Sequence, residues 1–118
     1  MKITDIHTHD LSRHGAIINY DFATPMRPDM IYSAGVHPWD TLSPSVDKYL
    51  DVTLTLARSG LIAAVGECGL DGIAGAPLDV QDRIFRRQAA ISEEFGLPVI
   101  LHVVKAHQQM IALKKELK

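Results

Sequence analysis

Short apolar runs alternate along this chain with longer stretches of helical period. Residues 2–7 read as a strand, and residues 16–19 (AIIN) as another. Residues 21–29 hold Pro25 and Pro28 and read as a loop. Residues 31–36 form an apolar run that ends in GVHPWD, a third strand. Ser43-Pro44 then has the form of an N-cap followed by proline at the first helical position. Val46, Tyr49, Leu50, Leu54 and Ala57 recur at helical spacing behind it, and Gly60 ends that helix. Residues 61–65 (LIAAV) are continuously apolar, as a strand buried on both faces should be, and lead into GECGLD. Residues 77–95 predict a second helix. Val80, Ile84, Ile91 and Phe95 mark its inner stripe, Arg83, Arg86, Arg87, Glu93 and Glu94 lie outside, and Gly96 terminates it. Leu97-Pro98 opens the next strand, completed by residues 99–103 (VILHV). Residues 106–117 predict a last amphipathic helix on Met110, Ile111, Leu113 and Leu117.

Strand alternating with helix predicts an α/β fold of parallel βαβ units. At 118 residues the chain is one domain, 1–118, with 47% apolar residues, enough to support a core. The formal net charge of −2 gives no strong field toward nucleic acid or acidic membranes. The single cysteine, Cys68, excludes an intrachain disulfide and fits a reducing compartment. It reads as a buried small apolar residue, alternating away from Glu67. No apolar run approaches the roughly 18 residues of a membrane span. Asp5, His7, His9 and Asp10 interrupt any signal-peptide core, so the expectation is a soluble cytoplasmic protein.

The chemically loaded residues fall where strand patterns end: His7 and His9, then His37, then Glu67, then His102. Parallel α/β proteins place ligands and catalytic groups at the C-terminal ends of their strands. His7 and His9 are two apart, so on a strand they share a face, with Ile3 and Asp5. Alone, His-x-His is either a metal-binding pair or two surface histidines. Joined by Glu67 and His102 it becomes three imidazoles and a carboxylate at one end of a sheet, which suit zinc, manganese or another first-row divalent ion. His37 either contacts substrate or shapes the turn before Pro38. Asp71 can orient a ligand, contact substrate, or close the turn with Gly72, and the first is favoured because ligating histidines need an acceptor behind them. Asp5 either plays the same part or makes an ordinary buried polar contact. His14 and His107 are expected in solvent, and Arg86-Arg87 and Lys114-Lys115 on solvated helical faces. No stripe of aromatic and basic residues argues for nucleic-acid binding.

DIHTHD, GVHPWD, GECGLD and QDRIFRRQAAISEEFGLPVILHVVKA, in that order, resemble the TatD family of metal-dependent hydrolases, within the wider amidohydrolase barrel group. The likeness runs from Met1 to about Ala112. DIHTH alone also occurs in polymerase-and-histidinol-phosphatase-type enzymes, whereas GVHPWD followed by GECGLD favours TatD. The resemblance implies a TIM-type (β/α) barrel, here partial, and one or two divalent ions such as zinc, magnesium or manganese. It also implies a deoxyribonuclease that hydrolyses phosphodiester bonds in DNA with a metal-activated water. Matched position by position, His7 and His9 are the first-strand ligands, Glu67 is the bridging and catalytic glutamate, and His102 is the ligand ending the next strand.

The departures shape the expectation. The family's later half adds a ligand histidine and an aspartate acting as ligand and general base, and neither lies within residues up to Lys118. A full barrel takes about 250 residues, so four or five strands cannot close one. Val104 stands where family members often carry arginine, and Trp39 where the GxHPH motif has its second histidine. The stretch between His9 and Met30 is short for an ordinary helical crossover. The expectation is therefore a TatD-type hydrolase whose chain alone binds metal weakly and cleaves little or no DNA. One alternative is a non-catalytic barrel fragment that assembles, as a homodimer, through exposed sheet edges. The other is an amidohydrolase that keeps the metals and acts on an amide or ester.

Overall fold

The computed structural model describes residues 17–117. The predicted strand over residues 2–7, and with it Asp5, His7, His9 and His14, lies outside the described residues. Four strands, β1 (Ile17–Asn19), β2 (Ile31–Ala34), β3 (Ala64–Asp71) and β4 (Val99–Val104), stand side by side in chain order, every neighbouring pair parallel. Helix α1 (Val46–Arg58) follows β2, α2 (Leu78–Phe95) follows β3, and α3 (His107–Glu116) follows β4. A parallel sheet whose strands advance in one direction, joined by right-handed crossovers, keeps its helices on one face. That is the arrangement of a partial (β/α) barrel rather than of a doubly wound sheet, whose strand order reverses.

The short connection between β1 and β2 is irregular, as its two prolines predict. Asp21 organises it by accepting hydrogen bonds from the Ala23 and Thr24 amides and the Thr24 hydroxyl. These bonds, the Thr24 hydroxyl first, hold the Asp21 carboxyl below its ordinary value.

Two apolar clusters fill the space between sheet and helices. One joins Cys68, Leu70 and Val99 of the sheet to Phe85, Ala89, Met110 and Leu113 of α2 and α3. The other joins Ile18, Tyr32, Ala34 and Val65 to Ala57, Ile62 and Ile91. Helix α2 contributes to both and is the central helix of the layer. Cys68 is fully buried, as expected, and burial pushes its thiol far above the ordinary range.

Several boundaries differ from the sequence pattern. Helix α1 starts at Val46 rather than beside Pro44, because the Ser43 hydroxyl accepts from the Ser45 amide in a turn that precedes the helix. Strand β3 starts at Ala64 rather than Leu61. The Leu61 amide instead bonds the Leu56 carbonyl at the end of α1, and the Leu61 side chain is exposed. Its apolar run reflects Ile62 packing under the helix, not strand pairing. The buried face of α2 carries Gln81, Phe85, Gln88, Ala89, Ile91 and Ser92, while Val80 and Ile84 are only half-buried. The stripe is turned because two glutamines on this face are needed by the sheet's backbone. On α3, Met110 and Leu113 are buried but Ile111 is exposed.

Candidate metal centre

The site forms where β2, β3 and β4 meet the loops that follow them. Strand β3 is regular on both sides of Glu67 but not at it. Gly66 pairs with Ile100 and Cys68 with Leu101, so Glu67 is an extra residue opposite no partner, a bulge. The bulge aims the Glu67 side chain out of the ladder. Its amide donates to Asn19 Oδ1 at 3.0 Å, so the end of β1 holds the bulge in place. The strand beyond can lie close to β4 because position 69 is glycine. A Cβ on Gly69 would stand 2.1 Å from the His102 carbonyl oxygen.

Glu67 lies between two imidazoles. Its Oε1 is 3.5 Å from His37 Nε2, and its Oε2 is 3.4 Å from His102 Nδ1. The three side chains are 13–17% exposed. Their ligand atoms all lie within 4.8 Å of one another. Two imidazoles and a carboxylate at this spacing are a donor set that fits a borderline divalent cation.

Hydrogen bonds assign different roles to the two histidines. His102 Nε2 lies 3.0 Å from Asp71 Oδ2. An ionised carboxylate only accepts, so neutral His102 carries its proton on Nε2, which leaves the lone pair of Nδ1 on the side of Glu67. His37 Nδ1 accepts the Trp39 amide at 3.1 Å, which leaves the proton of neutral His37 on Nε2, facing Glu67. By this assignment, made from partners, His102 has the tautomer of a ligand with a carboxylate behind it. His37 has the tautomer of a hydrogen-bond donor.

Asp71 is the anchor of the arrangement. It is buried, and its carboxylate accepts from the Trp39 indole at 2.8 Å, from His102, and from the amides of Ile73 and Ala74. Burial favours the neutral acid, but the four donations, Trp39's the largest, outweigh it and hold the carboxyl well below the usual carboxylate range. Beneath it, Gln81 is clamped to the backbone. Its Oε1 accepts from the Asp71 amide, and its Nε2 donates to the carbonyls of Asp71, Ala74 and Ala76. Two turns along α2, Gln88 does the same for the loop before His37. It accepts from the Val36 amide at 2.7 Å and donates to the Val36 carbonyl.

Of the residues singled out in the sequence, Glu67, His102, His37 and Asp71 are brought together. His7, His9 and Asp5 lie outside the described residues. The sequence reading missed Asn19, Gln81, Gln88 and the bond from Trp39 to Asp71. The two glutamines did leave a signal, polar residues seven apart on an otherwise apolar helical face.

A half-barrel of parallel strands with a histidine–glutamate cluster at its rim defines a class, the metal-site (β/α) barrels. The TatD related DNase family matches residues 2–118, and the chain belongs to that family. A 3'-5' ssDNA/RNA exonuclease TatD of Klebsiella pneumoniae is 40% identical over 86 residues, 70% of this chain and 32% of that protein. An uncharacterized metal-dependent hydrolase, YabD of Bacillus subtilis, is 34% identical over 90 residues, 75% of this chain and 35% of that protein. The chain thus spans about a third of the length of these curated relatives. The crystal structure of YjjV, a TatD homolog from Escherichia coli, superposes with a TM-score of 0.72 at 24% identity, over 86% of this chain and 43% of that one, and shows the shared fold.

Proposed function

We propose that this chain carries the first part of the metal site of a phosphodiesterase acting on nucleic acid, DNA in the first place. The observation that supports it most is the orientation of His102. Asp71 holds Nε2, and Nδ1 faces the carboxylate of Glu67. In this reading Glu67 and His102 hold one or two divalent ions, zinc, manganese or magnesium, together with His7 and His9. A cation held there polarises a phosphoryl oxygen and lowers the pKa of a water molecule toward 7. Asp71 keeps His102 in its ligating tautomer, and Gln81 fixes the backbone of Asp71. His37 presents its Nε2 proton toward the same space, where it can donate to a phosphate oxygen. Asp5 is assigned, from its place in the sequence, the same supporting part as Asp71.

The test is metal loading by native mass spectrometry with Zn²⁺ and Mn²⁺. The chain alone binds weakly but measurably, and Glu67→Ala and His102→Ala each reduce affinity by at least about ten-fold. Equal loading by both variants would overturn the reading. Cleavage assays on single-stranded DNA and on small esters should show slow, metal-dependent loss of the DNA only. Ester turnover without DNA cleavage would reassign the substrate. The reducing setting implied by one buried thiol supports a cytoplasmic protein, and the outer sides of β1 and β4, unpaired among the described residues, support self-association into a dimer.

A further inference from the structure

A cavity of about 400 Å³ adjoins the cluster and shares His37 with it, but neither Glu67 nor His102 lines it. The metal chemistry makes no use of it. Its size is within the ordinary range for a small-ligand site. Four of the chain's seven aromatic side chains, Tyr20, Phe22, Trp39 and Tyr49, line it. Phe22 stacks on Tyr49 with ring centroids 4.6 Å apart and planes 28° apart, and Tyr20 leans on Phe22 at 5.4 Å. Phe22 holds a backbone φ of 61°, a conformation a bulky residue adopts at some cost. Trp39 is 62% exposed, yet its ring is fixed, because its indole N–H is bonded to Asp71 and its edge meets His37 at 4.8 Å. An exposed but immobilised indole is a flat surface that loses little freedom when a second ring covers it.

Charge narrows the choice of ligand. Asp21 and Asp40 line the cavity, and among the described residues no lysine or arginine does. Such a pocket repels phosphate and accepts an uncharged planar ring. We propose that it holds one unpaired nucleobase of a single strand, stacked on Trp39, while the adjoining phosphate meets the Glu67–His102 cluster. The inference rests on the proposed function and adds to it the place where a base of the strand sits. Stacking on aromatic side chains is tolerant of base identity, so the pocket reads the presence of a base rather than its sequence.

The test measures binding separately from metal and cleavage. The 118-residue chain is titrated in EDTA and low salt against fluorescein-labelled tetrathymidylate and against the same backbone with all four bases replaced by abasic residues. Anisotropy should show the intact strand binding about ten-fold more tightly or better, the effect expected of one stacked base. The unlabelled strand should quench the fluorescence of Trp39, the only tryptophan. Tyr49→Leu, which keeps apolar bulk without the ring, should remove most of the preference while circular dichroism stays unchanged. Trp39→Leu should do the same by anisotropy. Tetrauridylate distinguishes the sources of the base. Binding equal to the DNA strand, or a preference for either sugar, supports the assignment so long as the abasic strand remains weak. Equal binding of intact and abasic strands, no binding of the intact strand, or an unquenched Trp39 overturns it. A chain that prefers bases but loads no cation would overturn the proposed function alone. A chain that loads a cation but ignores bases would overturn this inference alone.

Discussion

Asp71 Oδ2 accepts from two side chains that arrive from different parts of the chain, the Trp39 indole and the His102 ring, while Oδ1 accepts two backbone amides. One buried carboxylate therefore satisfies four donors. Removing it leaves them all without an acceptor, and an unmet buried donor costs about 1–3 kcal/mol. Asp71→Ala should lower stability by at least about 2 kcal/mol in urea unfolding with EDTA present. It should also weaken metal loading by about 10–100-fold, because His102 loses the partner that fixes its tautomer. Stability unchanged within 0.5 kcal/mol, a margin of about the measurement error, would show that the network is looser than its geometry. The residue types at Glu67, His102 and Asp71 were legible in the sequence, because strand-end polar residues have few other uses. The role of Trp39 was not. Only proximity 32 positions away in sequence gives its N–H an acceptor.

At the scale of elements, helix α2 both packs and holds the site. Its apolar residues join the two core clusters, and its two buried glutamines take over backbone groups that no strand pairs. Gln88 also sets a limit on its neighbour, since a Cβ on Gly35 would stand 2.6 Å from Gln88 Oε1. Gln88→Leu preserves volume and leaves the Val36 amide unpaired. It should cost about 1–3 kcal/mol and loosen the loop carrying His37, seen as faster hydrogen exchange at residues 35–40 than at β4. Uniform exchange across both regions would argue against a local clamp. The sequence pattern placed this helix to within a residue but assigned its inner face to Val80, Ile84, Ile91 and Phe95, of which Ile91 alone is buried. Hydrophobic periodicity counts polar residues as outward-facing, and the buried glutamines break that rule because they replace missing ladder bonds. The bulge at Glu67 was equally hidden, since an unpaired residue appears only when two strands are aligned.

At the scale of the molecule, the described residues form a sheet of four parallel strands. The radius of gyration of 13.3 Å is that of an ordinary compact domain of this length, so the half-barrel does not splay. Among the described residues, β1 and β4 each have a neighbour on one side only. On the proposed self-association, the unpaired groups of these two edges take up a second chain. Sedimentation equilibrium should therefore show a mass rising with concentration from 13.0 kDa toward twice that value. A single 13.0 kDa species at millimolar concentration would show the edges are covered within one chain.

Local chemistry in the sequence was enough to determine the alternation of strands and helices, the parallel class of the sheet, the family motifs and the candidate ligands. Side-chain period and strand-end placement are properties of short segments, readable without knowing what lies across from them. Only the tertiary structure decided which imidazole nitrogen faces Glu67, that Asp71 serves Trp39 and His102 together, and that four aromatic rings line a space beside the cluster. Each of these depends on distances between residues far apart in the chain, and a tautomer or a pocket exists only once its neighbours are in place.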